Sequence, residues 1–305
     1  MGKIALELEQ ALVHRAKEGS AAGLRTHLLA AGKGWTVEDV LCTSGPDDRT
    51  FEERHARHLI ALVAAGSFEC RTEFGRELMT PGSMLLGNAG QCFECRHQHA
   101  AGDRCIAFGY SPELFEYLAA DAGVTGRSTR FHGMRLPPIN GVAPLVAQVW
   151  TGLTAPSPVE AVQIWQELSF QLAGQVLRMA PGSSRERADA PAAAVARVTR
   201  AIRRIDSDPA ATLTLEELAQ EAKLSIYHFL RTFQRLTGLT PHQYVRRARL
   251  RNAATLLAAG KSRVLDIALD CGFGDLANFN HAFRGEFGMA PLAYRKQNAR
   301  KLFSI

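Results

Sequence analysis

Two stretches decide how this chain is read: SIYHFLRTFQRLTGLTPHQY at 225–244 and DLANFNHAFRGEFGMAPLAY at 275–294. Phe229, Phe233, Gly238, Pro241 and Tyr244 of the first recur as Phe279, Phe283, Gly288, Pro291 and Tyr294 of the second, every pair 50 residues apart. Five large or conformationally special residues at one offset mark a duplicated module, and two copies are too few for a solenoid. Thr214 and Glu217 read as a capping box opening the first helix of copy one, with Leu215, Leu218, Ala219 and Ala222 on its apolar face. Lys223 and Leu224 turn the chain, and Ser225 caps a second helix that stops at Gly238. In copy two the helix spans Val264 to Asp270, the turn runs from Cys271 to Gly274, Asp275 is the cap and Gly288 the stop. Short helix, tight turn and second helix make a helix-turn-helix.

The copies are joined by a third capping box, Thr240 with Gln243, that has Pro241 at the first helical position. It predicts a helix from Pro241 to Ala259, ended by Gly260, about 28 Å long at ~1.5 Å per residue. A rod of that length can hold two reading helices about one DNA turn, ~34 Å, apart. Arg246, Arg247, Arg249 and Arg251 stud the rod, while Leu250, Ala253, Ala254 and Leu257 form its buried stripe. From Pro191 onward 18 Lys/Arg stand against 9 Asp/Glu, and the rest of the chain has 18 against 21. Excess positive charge gathered in one domain is the footprint of a polyanion binder.

Ile267, Ala268, Gly272, Phe273, Phe279, Phe283, Gly288, Pro291, Tyr294 and Arg295 resemble the signature of AraC/XylS-type transcriptional regulators, over roughly residues 195–298. The sequence departs from that pattern at Ala290, at Ala277 with Asn278, and at Asn280 with His281, all in or near the second reader. With Phe229 and Phe233 packed inward, Ile226, Tyr227, Leu230 and Arg231 face the bases in the first reader. Leu276, Ala277, Asn278, Asn280 and His281 do so in the second. Arg pairs bidentately with guanine and Asn with adenine, while Leu or Ala meets the thymine methyl. The resemblance places Tyr227, Arg231, Asn278 and His281 at positions that touch bases or the adjoining backbone. His228, Gln234, Arg235 and Arg284 are placed for phosphates. The resemblance implies a non-enzymatic transcriptional regulator whose partners are double-stranded DNA, RNA polymerase, an effector and a second copy of the chain.

The 305 residues, 46% hydrophobic, suggest more than one globular domain and exclude wholesale disorder. No run approaches the roughly 18 apolar residues of a membrane helix, and Glu7 and Glu9 interrupt any signal-like pattern, so a cytoplasmic protein is expected. Residues 1–39 read as a helical segment on their Leu/Ala content. Between 40 and 120 short apolar runs alternate with Gly/Pro turns, the texture of an antiparallel sheet or small barrel. Within it Gly75 and Thr80 to Gly87 resemble the strand–turn–strand of the cupin-type barrels that many AraC/XylS proteins use for effectors. Residues 121–180 carry two apolar stripes, Val149, Trp150 and Leu153, then Val162, Trp165, Leu168, Leu172 and Val176, and predict a helical hairpin for dimerisation. Residues 181–194 read as the linker. The expected fold is therefore α+β, a cupin-like barrel with a helical hairpin followed by an all-α domain holding two helix-turn-helix motifs.

One stretch of the barrel is rich in thiols and imidazoles: Cys92, Cys95, His97, His99 and Cys105. On a strand Cys95, His97 and His99 share a face, and three such donors suit a divalent metal such as zinc. A hairpin at residues 101–103 returns Cys105 alongside, and Cys92 with Cys105 forms the alternative, a thiol pair. The plain reading is that the cysteines are small core residues. His55 and His58 fall near the first metal-binding segment of enzymatic cupins without the His-x-His pattern. A cupin-type metalloenzyme, or a Cys-based DNA-repair protein, fused to a DNA-binding domain is the rival reading. No catalytic triad or paired-carboxylate set accompanies it.

Overall fold

The computed structural model describes residues 2–302 except 20, 51, 98–100, 125–128, 139–141, 143, 144, 147, 150–157, 180–190 and 260–261. The N-terminal half opens with helix α1 (Gly2–Glu18), followed by β1 (Leu24–Gly32), β2 (Trp35–Cys42), β3 (Glu53–Arg54), β4 (His58–Gly66) and β5 (Phe68–Thr72). Then come β6 (Gly75–Met79), β7 (Met84–Gly87), β8 (Cys92–Arg96), β9 (Asp103–Tyr110), α2 (Pro112–Asp121), β10 (Arg135–Leu136) and α3 (Pro158–Met179). One sheet has the order β1-β2-β9-β4-β7-β10 and the other β3-β8-β5-β6. They face each other as two open sheets, which corrects the expected closed barrel. The edge strands β3 and β10 have two residues each, too few to stitch the sheets together.

Period-two alternation sorts the side chains into layers. Ile60, Leu62, Ile106 and Phe108 pack toward the helices with Trp165, Leu168 and Leu172 of α3. Their neighbours Ala61, Val63, Cys105 and Ala107 point the other way, into the space shared with Phe68, Cys70 and Met79 of the small sheet. β9 is buried along its whole length because β2 and β4 flank it and both its faces are covered. At the β4–β5 corner Gly66 has φ +74°, and a Cβ there would lie 2.2 Å from the Gly102 carbonyl, so no side chain fits.

Three sequence expectations are corrected in this half. In the segment expected to be helical, residues 1–39, the helix stops at Glu18, and Leu24–Gly32 is a strand paired with β2 along its length. Its Leu24 and Leu28 are exposed, so the leucines that looked like a helical stripe sit on an edge strand, where pairing with β2 overrides local preference. The sheet domain consequently starts near residue 24 and not at 40. Most of the apolar stripe of α3 is also spoken for: Trp165, Leu168, Leu172 and Val176 are buried in this chain's own core, leaving Val162 exposed beside Gln163, Gln166, Glu167 and Gln171. That removes the stripe as a reason for dimerisation. Trp150 and Leu153, on the first stripe, lie outside the described residues, as does most of the expected linker.

The C-terminal half is helical: α4 (Ala192–Ser207), α5 (Leu215–Glu221), α6 (Ile226–Thr237), α7 (Pro241–Ala259), α8 (Val264–Asp270), α9 (Leu276–Phe287) and α10 (Pro291–Leu302). α4 already begins inside the expected linker, at Ala192. Both halves of the Thr214–Glu217 capping box form, as do those of Thr240 with Gln243. Gly238 and Gly288 take the left-handed position, φ 77° and 71°, that ends α6 and α9. The duplication extends to ring geometry. Phe229 and Phe233 lie 5.4 Å apart and Phe279 and Phe283 5.5 Å apart. Tyr244 meets Phe233 edge-on at 5.7 Å, and Tyr294 meets Phe283 edge-on at 5.5 Å. α4 supplies the apolar backing of the first motif through Val195, Val198, Ile202 and Ile205. The stripe Leu250, Ala253, Ala254 and Leu257 of α7 does the same for the second. The two halves touch where α1 packs on α7 and where Leu78 of β6 joins the core of the first motif.

Candidate DNA interface and effector pocket

Each reading helix is fixed at its start by a side-chain cap, which leaves its first turn free to project. Ser225 Oγ accepts from the His228 amide at 3.4 Å, and Asp275 Oδ1 accepts from the Asn278 amide at 2.7 Å. Phe229, Phe233, Phe279 and Phe283 are fully buried on the inner face. On the outer face of α6 Ile226, Tyr227, His228, Arg231, Gln234 and Arg235 are exposed and Leu230 is half-buried. On α9 Leu276, Ala277, Asn278, His281 and Arg284 are exposed and Asn280 is half-buried. The Arg231 guanidinium lies 5.7 Å from the centre of the Tyr227 ring, a cation–π contact that steadies it on the surface. Leu230 of the first reader and Asn278 of the second line one cleft of about 420 Å³, together with His242 and Arg246 of α7. Both reading helices therefore open onto the same side of the rod.

The rod's arginines divide into two kinds. Arg246 is exposed, but three others bind the protein itself. Arg249 donates from Nε to the Pro209 carbonyl at 2.9 Å, from Nη2 to Ala211 at 3.1 Å and from Nη1 to Gly272 at 2.8 Å. It thus ties the segment before the first motif to the turn of the second. Arg251 donates to Asp206 at 3.0 Å, which also accepts from the Tyr244 hydroxyl at 3.0 Å. Arg247 pairs with Glu286 of α9 at 3.3 Å. Sequence reasoning saw these arginines but not their partners, because main-chain carbonyls leave no mark in a sequence.

In the N-terminal half a pocket of about 420 Å³ opens between the two sheets. Its walls are apolar, with Val40, Leu59, Phe68 and Phe93 among them, and Cys42, Cys95, His97, Asp103 and Cys105 converge at one side. His97 Nε2 lies 2.7 Å from Asp103 Oδ1, and the Cys105 thiol donates to Asp103 Oδ2 at 3.3 Å. Cys95 is the register partner of Cys70, and hydrogen bonding to Cys70 together with burial raises its thiol well above the ordinary range. Burial and the Asp103 charge raise the Cys105 thiol similarly, and burial raises Cys42. Burial thus disfavours the thiolate form of all three in the absence of a cation. His55 stacks on Phe93 with ring centres 4.0 Å apart, and burial lowers its pKa to about 4.

The expected Cys/His group is only partly assembled. Cys95, His97 and Cys105 line the pocket, but Cys92 lies on the opposite face of β8, beside Arg71, Glu94 and Arg130. Cys92 faces away from the pocket that Cys105 lines, so that thiol pair is not brought together. His99 lies outside the described residues. The group that does meet is Cys42, His97 and Asp103, with one ligand atom of each within 4.8 Å of the others. Cys42 and Asp103 were missed as a pair because only the β2–β9 register makes them neighbours. Among the described residues no helix is long and apolar enough to cross a membrane.

Comparison with known proteins finds two family models. One for a helix-turn-helix domain matches residues 218–297, and one for an AraC-like ligand binding domain matches residues 39–169. The HTH-type transcriptional activator RhaS of Klebsiella pneumoniae is 37% identical over 101 residues, 33% of this chain and 36% of that protein. RhaS of Salmonella arizonae is 26% identical over 259 residues, 80% of this chain and 87% of that protein. The crystal structure of ToxT from Vibrio cholerae O395 is 13% identical and covers 90% of this chain and 100% of that one, with a TM-score of 0.34. The chain spans about a third of the length of the first relatives it matches.

Proposed function

The chain belongs to the AraC/XylS family of transcriptional regulators, and from that premise we propose that it binds operator DNA through α6 and α9 and responds to an effector in the pocket between its sheets. The observation that carries this reading is the pair of capped, outward-facing helices opening on one side of a rod that Arg249 locks to both motifs. One chain then reads two successive major grooves without a partner. Arg231, Asn278 and His281 read bases, Tyr227 and Leu230 pack on base edges, and His228, Gln234, Arg235 and Arg284 fix the register on phosphates. RNA polymerase at that operator is the expected partner of the bound chain. A nuclease footprint on the DNA upstream of the chain's own coding region tests the reading. Arg231→Ala should weaken the specific site by roughly 1–3 kcal/mol and relax preference at one base pair. Equal loss on random DNA would show Arg231 to be a phosphate contact only.

A further inference from the structure

The sensor pocket holds a donor set that DNA reading does not use. Cys42 ends β2 and Asp103 begins β9, and the antiparallel register sets them opposite each other. His97, just past β8, reaches Asp103 with its Nε2 at 2.7 Å. The three ligand atoms lie within 4.8 Å of one another. A tetrahedral ion with bonds of about 2.0–2.3 Å spaces its ligands roughly 3.3–3.8 Å apart. Closing the site therefore takes side-chain shifts of about an ångström. Cys105, two residues beyond Asp103, shares its strand face, and its thiol already points at Asp103 Oδ2. Sulfur, imidazole and carboxylate donors together favour a borderline or soft divalent cation over magnesium or calcium.

We propose that a thiophilic divalent cation of the zinc class binds at Cys42, His97 and Asp103, and that this ion is the effector. The inference rests on the regulatory reading above. On binding, the ion takes the place of the Cys42 thiol proton and of the His97–Asp103 hydrogen bond, so affinity falls as pH falls.

The ion site touches the element that leads to the readers. Leu8 and Leu12 of α1 lie against Gly102, next to Asp103. Arg15 of α1 donates to the Thr43 carbonyl, next to Cys42, and to Asp48 at 2.7 Å on the pocket wall. α1 in turn packs on α7, the rod that carries both reading helices. Closing the site repositions the Cys42 and Asp103 side chains at the strand ends on which α1 rests. An ion that binds the two arrangements unequally then changes the setting of α7.

The test is anaerobic titration of the metal-free full-length protein with Co²⁺, followed by displacement with Zn²⁺. The expected result is one equivalent of Co²⁺ with a thiolate-to-cobalt charge-transfer band and the intense visible bands of a tetrahedral site. Cys42→Ser and His97→Gln should each weaken uptake at least about tenfold, while Cys92→Ser, on the other strand face, should not. Circular dichroism and melting of each variant show whether it is folded, and either folded variant suffices. In parallel, Zn²⁺ should change operator affinity roughly fivefold or more in the wild type and leave Cys42→Ser unchanged. Normal operator binding with no Co²⁺ uptake overturns the inference and leaves the regulatory reading intact. Uptake retained in both folded variants overturns the residue assignment, and uptake with unchanged operator affinity overturns the effector role. Uptake without specific DNA binding overturns the regulatory reading, and the effector role with it.

Discussion

Arg249 donates from all three guanidinium nitrogens to main-chain carbonyls of two separate segments, at Pro209 and Ala211 before the first motif and at Gly272 in the turn of the second. Lysine has the charge and three donors but not the planar fork, so Arg249→Lys should not hold all three carbonyls at once. Arg249→Ala should lower stability by about 2–3 kcal/mol, since the lost bonds are charge-assisted and partly buried. The exposed Arg246→Ala should change stability by less than about 0.5 kcal/mol. Urea unfolding of the two variants checks the contrast, and equal losses would show that Arg249 is not a tie. His55 sets an acid limit. Its folded pKa of about 4 lies below the ordinary imidazole value of 6.5, so below pH 6.5 the unfolded chain binds a proton that the native one refuses. Stability should be unaffected above that pH and fall by up to roughly 3 kcal/mol on acidification toward pH 4. His55→Gln should flatten that slope. A wild-type acid slope in the variant would assign the loss to other groups.

At the scale of elements, α3 shows how an apolar stripe can mislead. Its spacing is right for a helix, but a stripe says only that something covers it, and here the cover is the chain's own large sheet. Trp165→Ala should therefore cost about 3–5 kcal/mol of folding stability. Sedimentation of the folded wild type should show no dimer held by that face, and a variant that stayed fully stable but dissociated would reverse this. The C-terminal helices were legible because their signals are local. Thr214 with Glu217, Ser225, Thr240 with Gln243, and Asp275 each bond an amide within three residues, and each sits where its sequence placed it. β1 was not legible, because Leu24, Leu28 and Leu29 fit a helix equally well until β2 offers a hydrogen-bonding edge. The donor set of the pocket was half legible. Cys95, His97 and Cys105 stand in one stretch, but Cys42 joins them only through strand register, and register is set by the whole sheet.

For the whole molecule, the central claim is that one chain places two readers in successive major grooves. The equal ring packing of the two motifs, the shared cleft and the Arg249 tie make α6, α7 and α9 one rigid reading unit. On the proposed reading, the charge asymmetry between the two halves gives the salt-dependent part of the affinity and the readers give the choice of site. The most direct test is a base-resolved interference footprint on the operator with wild type, Arg231→Ala and a double variant of Asn278→Ala and His281→Ala. The wild type should show two major-groove contact patches on one DNA face, about 10 base pairs apart. Arg231→Ala should lose contacts in one patch and the double variant in the other. A single patch, or the same patch lost in both variants, would contradict the account.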